Sequence, residues 1–249
     1  MSDLDLAIKA ATEAGQIIQE GFLKTHNISK KPDKGFVTEI DTASEKKILE
    51  ILGSSHAILA EETKSTIPNE ETYWAIDPLD GTTNFIRGLP YFAVSIALMK
   101  SNIPVIGVVY NPIPDELFSA ELHMGSFLNG TRIHTSDKNN LIFVNSGYNL
   151  EHKIKYAENV KNIIPHYNLR KLGSTAYELA SMARGVVDGF IAWGDELWDD
   201  AAGILLVREA GGIVTDWEGN EWTSDTNYVL AANKTIHPQL LKTISSYSN

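Results

Sequence analysis

The sequence predicts a layered α/β or α+β protein. Three observations carry that reading. Segments with apolar residues at every third or fourth position are mixed with short apolar runs of strand length. Several of those runs end in acidic residues. The apolar class makes up 43% of 249 residues, enough to bury a large core.

Each element follows in turn. Leu4, Ala7, Ile8, Ala11, Ala14 and Ile17 or Ile18 recur at helical intervals, with Asp3 or Asp5 as the candidate cap. Turn composition at Asp33-Lys34-Gly35 precedes an extended pair, Phe36-Val37. Residues 38–52 read as a second helix, capped by Thr38 and facing inward through Ile40, Ala43, Ile48 and Ile51 or Leu52. Residues 57–60 are a strand that delivers Glu61 and Glu62 at its end. After a polar loop at residues 67–72, residues 73–76 form a strand ending at Asp77. Strands at 92–99 and 105–110 flank a hairpin turn, 116–121 is a further strand, and 125–130 has hairpin composition.

A new strand opens at Asn140, so the chain is expected to divide near residue 138. An N-terminal lobe, residues 1–138, carries most of the acidic candidates; a C-terminal lobe, residues 139–249, completes the site within one compact unit. The second lobe offers helices at 153–164 and 175–183, an extended stretch at 186–193, and a helix at 198–210 broken by Gly211-Gly212. Strands at 213–215 and 228–232 and a short helix at 238–244 close the chain.

Composition limits the function. The formal charge of −11 and the absence of a dense basic run set the chain against nucleic acid as a partner. No cysteine is present, which excludes disulfides, thiolate nucleophiles and thiolate zinc sites. The first nine residues are polar and acidic, unlike a secretory leader, and no apolar run approaches the roughly 20 residues that span a bilayer. The expectation is a cytoplasmic protein without membrane contact.

The chemistry concentrates in Trp74-Ala75-Ile76-Asp77-Pro78-Leu79-Asp80-Gly81-Thr82-Thr83-Asn84-Phe85. Two carboxylates three residues apart, a stiffening proline and a Gly-Thr-Thr turn can set acidic ligands, the Leu79 carbonyl and unpaired N–H groups around one small volume. Hard divalent cations take oxygen ligands of this kind, and a phosphate takes the cations and the N–H groups. Carboxylates this close repel one another unless a cation lies between them. The plain alternative is a surface turn, because Asp, Pro and Gly are common turn residues. Glu61, Glu62, Asp199 and Asp200 are further acids at strand or helix ends, and Asp41 lies early in the second helix, placed to hold a water or a threonine hydroxyl. His123, His134, His152 and His166 lack ligand spacing and read as surface or loop residues. Neither a P-loop nor a dinucleotide fingerprint is present.

That motif, with Trp198-Asp199-Asp200-Ala201-Ala202-Gly203 continuing to Gly211-Gly212, resembles the two signatures of the inositol monophosphatase family, which are magnesium-dependent, lithium-sensitive phosphatases. Lys34 to Asp41 and Glu61-Glu62-Thr63 match weaker family patterns in the expected order. The resemblance implies an alternating α-β-α-β-α sandwich of the sugar phosphatase group. It implies that Glu61, Asp77 and the Leu79 carbonyl hold one Mg2+, that Asp77, Asp80 and Asp199 hold a second, and that Glu61 helps hold a third through water. Thr82, supported by Asp41, would orient and activate the attacking water, and the Gly81 and Thr82 N–H groups would grip the phosphate. Gly173-Ser174-Thr175 would line the alcohol side of the pocket, with Asp195 or Glu196 nearby. Animal members carry a glutamate that touches the inositol hydroxyls seven residues before the second motif's aspartate; here Ala192 stands there.

The expected activity is hydrolysis of a small phosphorylated sugar or polyol, inositol monophosphate first, by a homodimer. The alternatives are fructose-1,6-bisphosphatase, histidinol-phosphate or 3′-phosphoadenosine 5′-phosphate phosphatase activity, or a non-catalytic protein-docking role.

Overall fold

The computed structural model describes residues 1–31, 35–63, 66–136, 138, 140–226 and 228–245. Helix α1 (Asp3–Gly21) starts on Ser2 rather than on either aspartate. Ser2 Oγ accepts the Asp5 N–H and Asp5 Oδ2 accepts the Ser2 N–H, both at 3.1 Å, a reciprocal box that satisfies two otherwise open donors. An antiparallel ribbon of β1 (Ile28–Lys31) and β2 (Gly35–Thr38) follows. The pair Phe36-Val37 falls in β2 as predicted; Asp33 and Lys34 of the expected turn lie outside the described residues.

Helix α2 (Glu39–Leu52) is capped by Thr38, whose Oγ1 accepts the Ile40 N–H at 3.2 Å. Its buried side differs from the expected one. Asp41, Ser44, Glu45, Ile48 and Leu52 are buried, while Ile40 and Ala43 are only half-buried. Polar groups occupy these core positions because each has a partner. Ser44 Oγ donates to the Pro78 carbonyl at 2.8 Å, and Glu45 accepts the Glu62 N–H at 2.8 Å and the Thr63 hydroxyl.

A seven-stranded sheet runs in sequence order through β3 (Ala57–Ala60), β4 (Thr72–Asp80), β5 (Ala93–Lys100), β6 (Ile103–Asn111), β7 (Glu116–Glu121), β8 (Gly125–Leu128) and β9 (Thr131–Arg132). Only β3 and β4 pair in parallel. A short helix unseen in the sequence, α3 (Thr82–Arg87), follows β4. Strand β4 runs past the expected end at Ile76 to Asp80. Alternate residues feed two cores: Trp74, Ile76, Val94 and Ile96 face α1 and α2, whereas Tyr73, Ala75, Ala93 and Ala97 face the second half of the chain. A sheet covered on both faces reads as unbroken apolar runs.

The second half supplies α4 (Leu150–Ile163), α5 (Thr175–Ala183), α6 (Leu197–Glu209) and α7 (His237–Ser245). It also supplies β10 (Leu141–Val144), β11 (Asn168–Arg170), β12 (Gly189–Trp193), β13 (Ile213–Thr215) and β14 (Tyr228–Ala232), ordered β11-β10-β12-β14-β13. Helix α4 begins earlier than predicted because Asn149 caps it, Oδ1 accepting the His152 N–H at 2.8 Å. Helices α5 and α6 lie between the two sheets, and α4 and α7 cover the far side. The layers therefore run α-β-α-β-α. Buried on all sides, α5 and α6 have apolar residues around their circumference.

Two features of this packing give predictions. Gly107 of β6 admits α6: a Cβ there would meet the Ala202 carbonyl oxygen at 2.7 Å. Gly107→Ala should cost about 1–3 kcal/mol by overpacking, read as a lowered urea midpoint. The second concerns His237, whose Nε2 lies 2.9 Å from Thr215 Oγ1. The single Thr215 hydroxyl proton goes to the Asp216 carbonyl at 2.7 Å, so His237 Nε2 is the donor in this pair. Burial lowers the His237 pKa. The unfolded chain therefore binds the extra proton, and the stability His237 confers is present above about pH 6.5 and lost as pH falls through that value. Urea midpoints of wild type and His237→Gln should differ most at pH 8 and converge toward pH 5.

Candidate active site

The site is built on an irregularity in β4. Asp77 pairs with Ser95 of β5 and Asp80 with Ala93, so three steps along β4 match two along β5. In a regular strand, residues three apart point to opposite faces. The extra residue of the bulge brings both carboxylates to one side. Pro78 sits inside the bulge, where its missing N–H breaks no ladder bond, and the Leu79 N–H turns back to Asp77 Oδ1 at 2.8 Å.

Two further elements close on this point. Strand β3 lies parallel to β4 and is followed directly by Glu61, whose N–H reaches the Ile76 carbonyl at 3.2 Å. The first turn of α6 brings Asp199, and Ser95 Oγ holds that turn by donating to the Trp198 carbonyl at 2.9 Å. One oxygen each of Asp77, Asp80 and Asp199 lie within 4.8 Å of one another. These three, Glu61, Leu79, Gly81 and Thr82 all line one cavity of about 280 Å³.

Asp80 Oδ2 is fixed by Ser174 Oγ at 2.8 Å and the Ala176 N–H at 2.7 Å, so it caps α5 from across the layer. Asp41 is fully buried, with Oδ2 accepting the Thr38 N–H at 2.8 Å and hydroxyl at 2.6 Å, and Oδ1 accepting the Thr82 hydroxyl at 2.9 Å. Thr82 Oγ1 also lies 3.1 Å from the Leu79 carbonyl. Its one proton is thus committed to protein acceptors, which leaves the oxygen as an acceptor toward the cavity. Gly81 opens α3 at φ +92°, and a Cβ there would meet the Tyr91 carbonyl oxygen at 2.9 Å.

Electrostatics follow from burial. Desolvation, then repulsion among Glu61, Asp80 and Asp199, raises Asp77 well above the ordinary carboxylate range. Desolvation raises Asp199 likewise, with Asp80, Asp195 and Glu61 adding to it. Asp80 is pushed up to about 7, burial outweighing its two hydrogen bonds. Burial also raises Asp41, against the pull of its three donors. An oxygen-only set of crowded, desolvated carboxylates fits a hard divalent cation, which supplies the missing counter-charge.

The structure thus brings together Glu61, Asp77, Leu79, Asp80, Gly81, Thr82 and Asp199, with Asp41 behind them. Gly173, Ser174 and Thr175 are not among the lining residues; Ser174 and Thr175 are buried and hold Asp80 and Asp195 from behind. Ala192 is buried in β12, away from the lining, whereas Asp195 and Glu196 border the cavity. His152, expected on the surface or in a loop, is on α4 and lines the cavity with Tyr148.

Sequence reading missed three supports. Glu45 fixes the segment after Glu61 through the Glu62 N–H and the Thr63 hydroxyl. Asn84 Nδ2 donates to the carbonyls of Tyr91 (2.6 Å) and Leu172 (2.8 Å), and Glu178 accepts the N–H groups of Leu172 and Gly173. For Glu45 a signal existed: Asp41, Ser44, Glu45 and Ile48 share one helical face.

A model of the inositol monophosphatase family matches residues 2–249. The chain belongs to the inositol monophosphatase family. Inositol-1-monophosphatase of Mesorhizobium japonicum is 36% identical over 254 residues, covering 97% of this chain and 95% of the relative. Nus factor SuhB of Escherichia coli strain K12 is 40% identical over 243 residues, covering 92% and 89%. The crystal structure of extragenic suppressor protein suhB from Bartonella henselae has a TM-score of 0.90 at 35% identity, covering 98% of each chain. The layered α/β fold read from the sequence is that of the family, and the protein is a phosphatase by that membership.

Repulsion within the cluster is open to measurement. Asp199→Asn keeps the shape and the bond from the Glu196 N–H at 3.1 Å while removing one negative charge. In chelator-treated protein this variant should melt about 2–4 °C above wild type, and magnesium should raise its melting temperature less than it raises that of wild type.

Proposed function

We propose that this phosphatase hydrolyses a small polyol monophosphate, inositol monophosphate first, by direct attack of water and with magnesium as its cofactor. The observation that carries the reading is the convergence of Asp77, Asp80 and Asp199 in the cavity that also holds Glu61 and the Asp41–Thr82 pair. The cavity, about 280 Å³, is small for a ligand site, which favours a compact monoester over a nucleotide. The relative named inositol-1-monophosphatase supports the same substrate.

Glu61, Asp77 and the Leu79 carbonyl would hold one cation, and Asp77, Asp80 and Asp199 another. When bound, such ions neutralise phosphoryl oxygens and make water a better nucleophile at neutral pH. The remaining work falls to the chain. Thr82 Oγ1, its proton held by Asp41 Oδ1 at 2.9 Å, accepts a hydrogen from the attacking water and aims its oxygen at phosphorus. The Gly81 and Thr82 N–H groups, at the open start of α3, donate to phosphoryl oxygens. The buried setting strengthens each of these contacts. Lithium inhibition and a homodimer belong to the same proposal.

A second reading rests on the name of the Escherichia coli relative, a Nus factor. It gives this chain a role in binding another protein, alone or beside catalysis. Phosphate release from inositol monophosphate and other small phosphate esters, with and without magnesium, separates the two. Asp77→Asn, which retains the Leu79 hydrogen bond, should keep the fold, lose magnesium binding by calorimetry and lose at least about 99% of activity. Full activity in that variant removes the metal-site assignment; inert wild-type protein favours docking.

A further inference from the structure

Six acids line the cavity: Glu61, Asp77, Asp80, Asp195, Glu196 and Asp199. Four are placed by the proposed phosphate chemistry. Of the other two, Glu196 is exposed at the rim, where α6 begins. Asp195 is half-buried and stands outside the three-carboxylate group.

A relay of side chains orients Asp195. The Ser146 N–H donates to Asn145 Oδ1 at 2.9 Å, which leaves Asn145 Nδ2 to donate to Thr175 Oγ1. Thr175 Oγ1 then sends its only proton to Asp195 Oδ2 at 2.9 Å. Asn145 and Thr175 are both buried, and they tie the carboxylate to the residue that follows β10 and to the start of α5. Burial pushes Asp195 up to about 6, with the Thr175 hydrogen bond and the Lys171 charge pulling the other way, and Lys171 Nζ donates to Ser146 Oγ at 3.2 Å. Asp195 Oδ1 has no hydrogen-bond partner among the described residues, in a side chain that borders the cavity. A carboxylate fixed at one oxygen and open at the other accepts hydrogens and gives none. No metal ligand of the proposed set needs that oxygen.

We infer that Asp195 is the specificity-determining residue for the alcohol half of the substrate: its open oxygen accepts a hydrogen from a free hydroxyl of the leaving alcohol, so the enzyme selects polyol phosphates over esters of alcohols that carry no further hydroxyl. This rests on the phosphatase reading above. A site built to bond a substrate hydroxyl discriminates strongly against an analogue that lacks it, because its own polar group is then left unpaired.

The test compares kcat/KM for myo-inositol 1-phosphate and for phenyl phosphate in the magnesium-loaded protein. Removing a negative charge near the phosphoryl group moves the rates of both esters together, so the ratio reports the hydroxyl contact. Wild type should favour the polyol ester. Asp195→Ala should lower the ratio about tenfold to a hundredfold, mainly through KM of the polyol ester, as expected for a lost hydrogen bond to a charged group. Thr175→Val keeps the carboxylate but frees it to rotate, and should lower the ratio by about threefold to tenfold. It also decides the matter if the alanine variant does not fold. A ratio held within twofold in both variants, or a wild type with no preference for the polyol ester, overturns the inference and leaves the phosphatase reading standing. Failure of wild type to hydrolyse either ester overturns both.

Discussion

One extra residue in β4 is the constraint on which the site depends. Without the bulge between Asp77 and Asp80, the pleat would aim these carboxylates at opposite faces of a sheet covered on both sides. One of them would then lie among the apolar side chains facing α1 and α2, without a counter-charge. The bulge costs ladder bonds and needs partners of its own. Pro78 has no N–H to lose, its carbonyl is taken by Ser44, and the Leu79 N–H is taken by Asp77. Ser95, opposite Asp77 on β5, reaches across to the start of α6. The irregular segment and the helix that carries Asp199 are therefore anchored to the same residue pair.

The layers on either side exist to serve that point. Helix α2 turns polar residues toward the sheet, and each of them ends at the site: Asp41 on Thr82, Ser44 on Pro78, Glu45 beside Glu61. Helices α5 and α6 arrive from the other side, and Asp80 completes the open end of α5. A carboxylate that caps a helix is fixed in direction by the helix, not by its own rotamer freedom. Rigid secondary structure thus sets each acid before any ligand arrives, which lowers the ordering cost of binding one.

Much of this was legible in the sequence, for physical reasons. Elements that face a core came through whatever their length, because apolar residues mark them: 175–183, 116–121, 213–215 and 228–232 agree with the expected bounds. Elements with little buried surface did not. Strands β1 and β11 and helix α3 bury too little to leave a pattern. The buried face of α2 is legible only in part: Ile48 and Leu52 are inward as expected, whereas Ser44 and Glu45 look solvated until their partners farther along the chain are known. The acidic cluster was readable as a motif, yet the bulge that makes its members converge was not, since register belongs to a pair of strands. The role of Thr175 was hidden for the same reason: its partners Asn145 and Asp195 are thirty and twenty residues away.

The buried acids of this protein reach rest in three ways. Asp41 and Glu45 are held by hydrogen-bond donors. Glu178 leans toward the protonated form, because burial pushes it up to about 8, and its Oε1 accepts two N–H groups from the Leu172-Gly173 turn. Asp77, Asp80 and Asp199 have too few donors for the first solution, and three protons would leave them unable to bind a phosphate's cations. A hard cation is the counter-charge that satisfies all three at once. Asp200 adds to the need: it is buried behind Asp199 with Oδ1 unpartnered among the described residues, and desolvation and Asp195 raise it well above the ordinary range. The central layer thus stores negative charge that only part of the fold neutralises. A cation bound there would relieve that repulsion, and the stability of the fold and the binding of the cation would become one equilibrium.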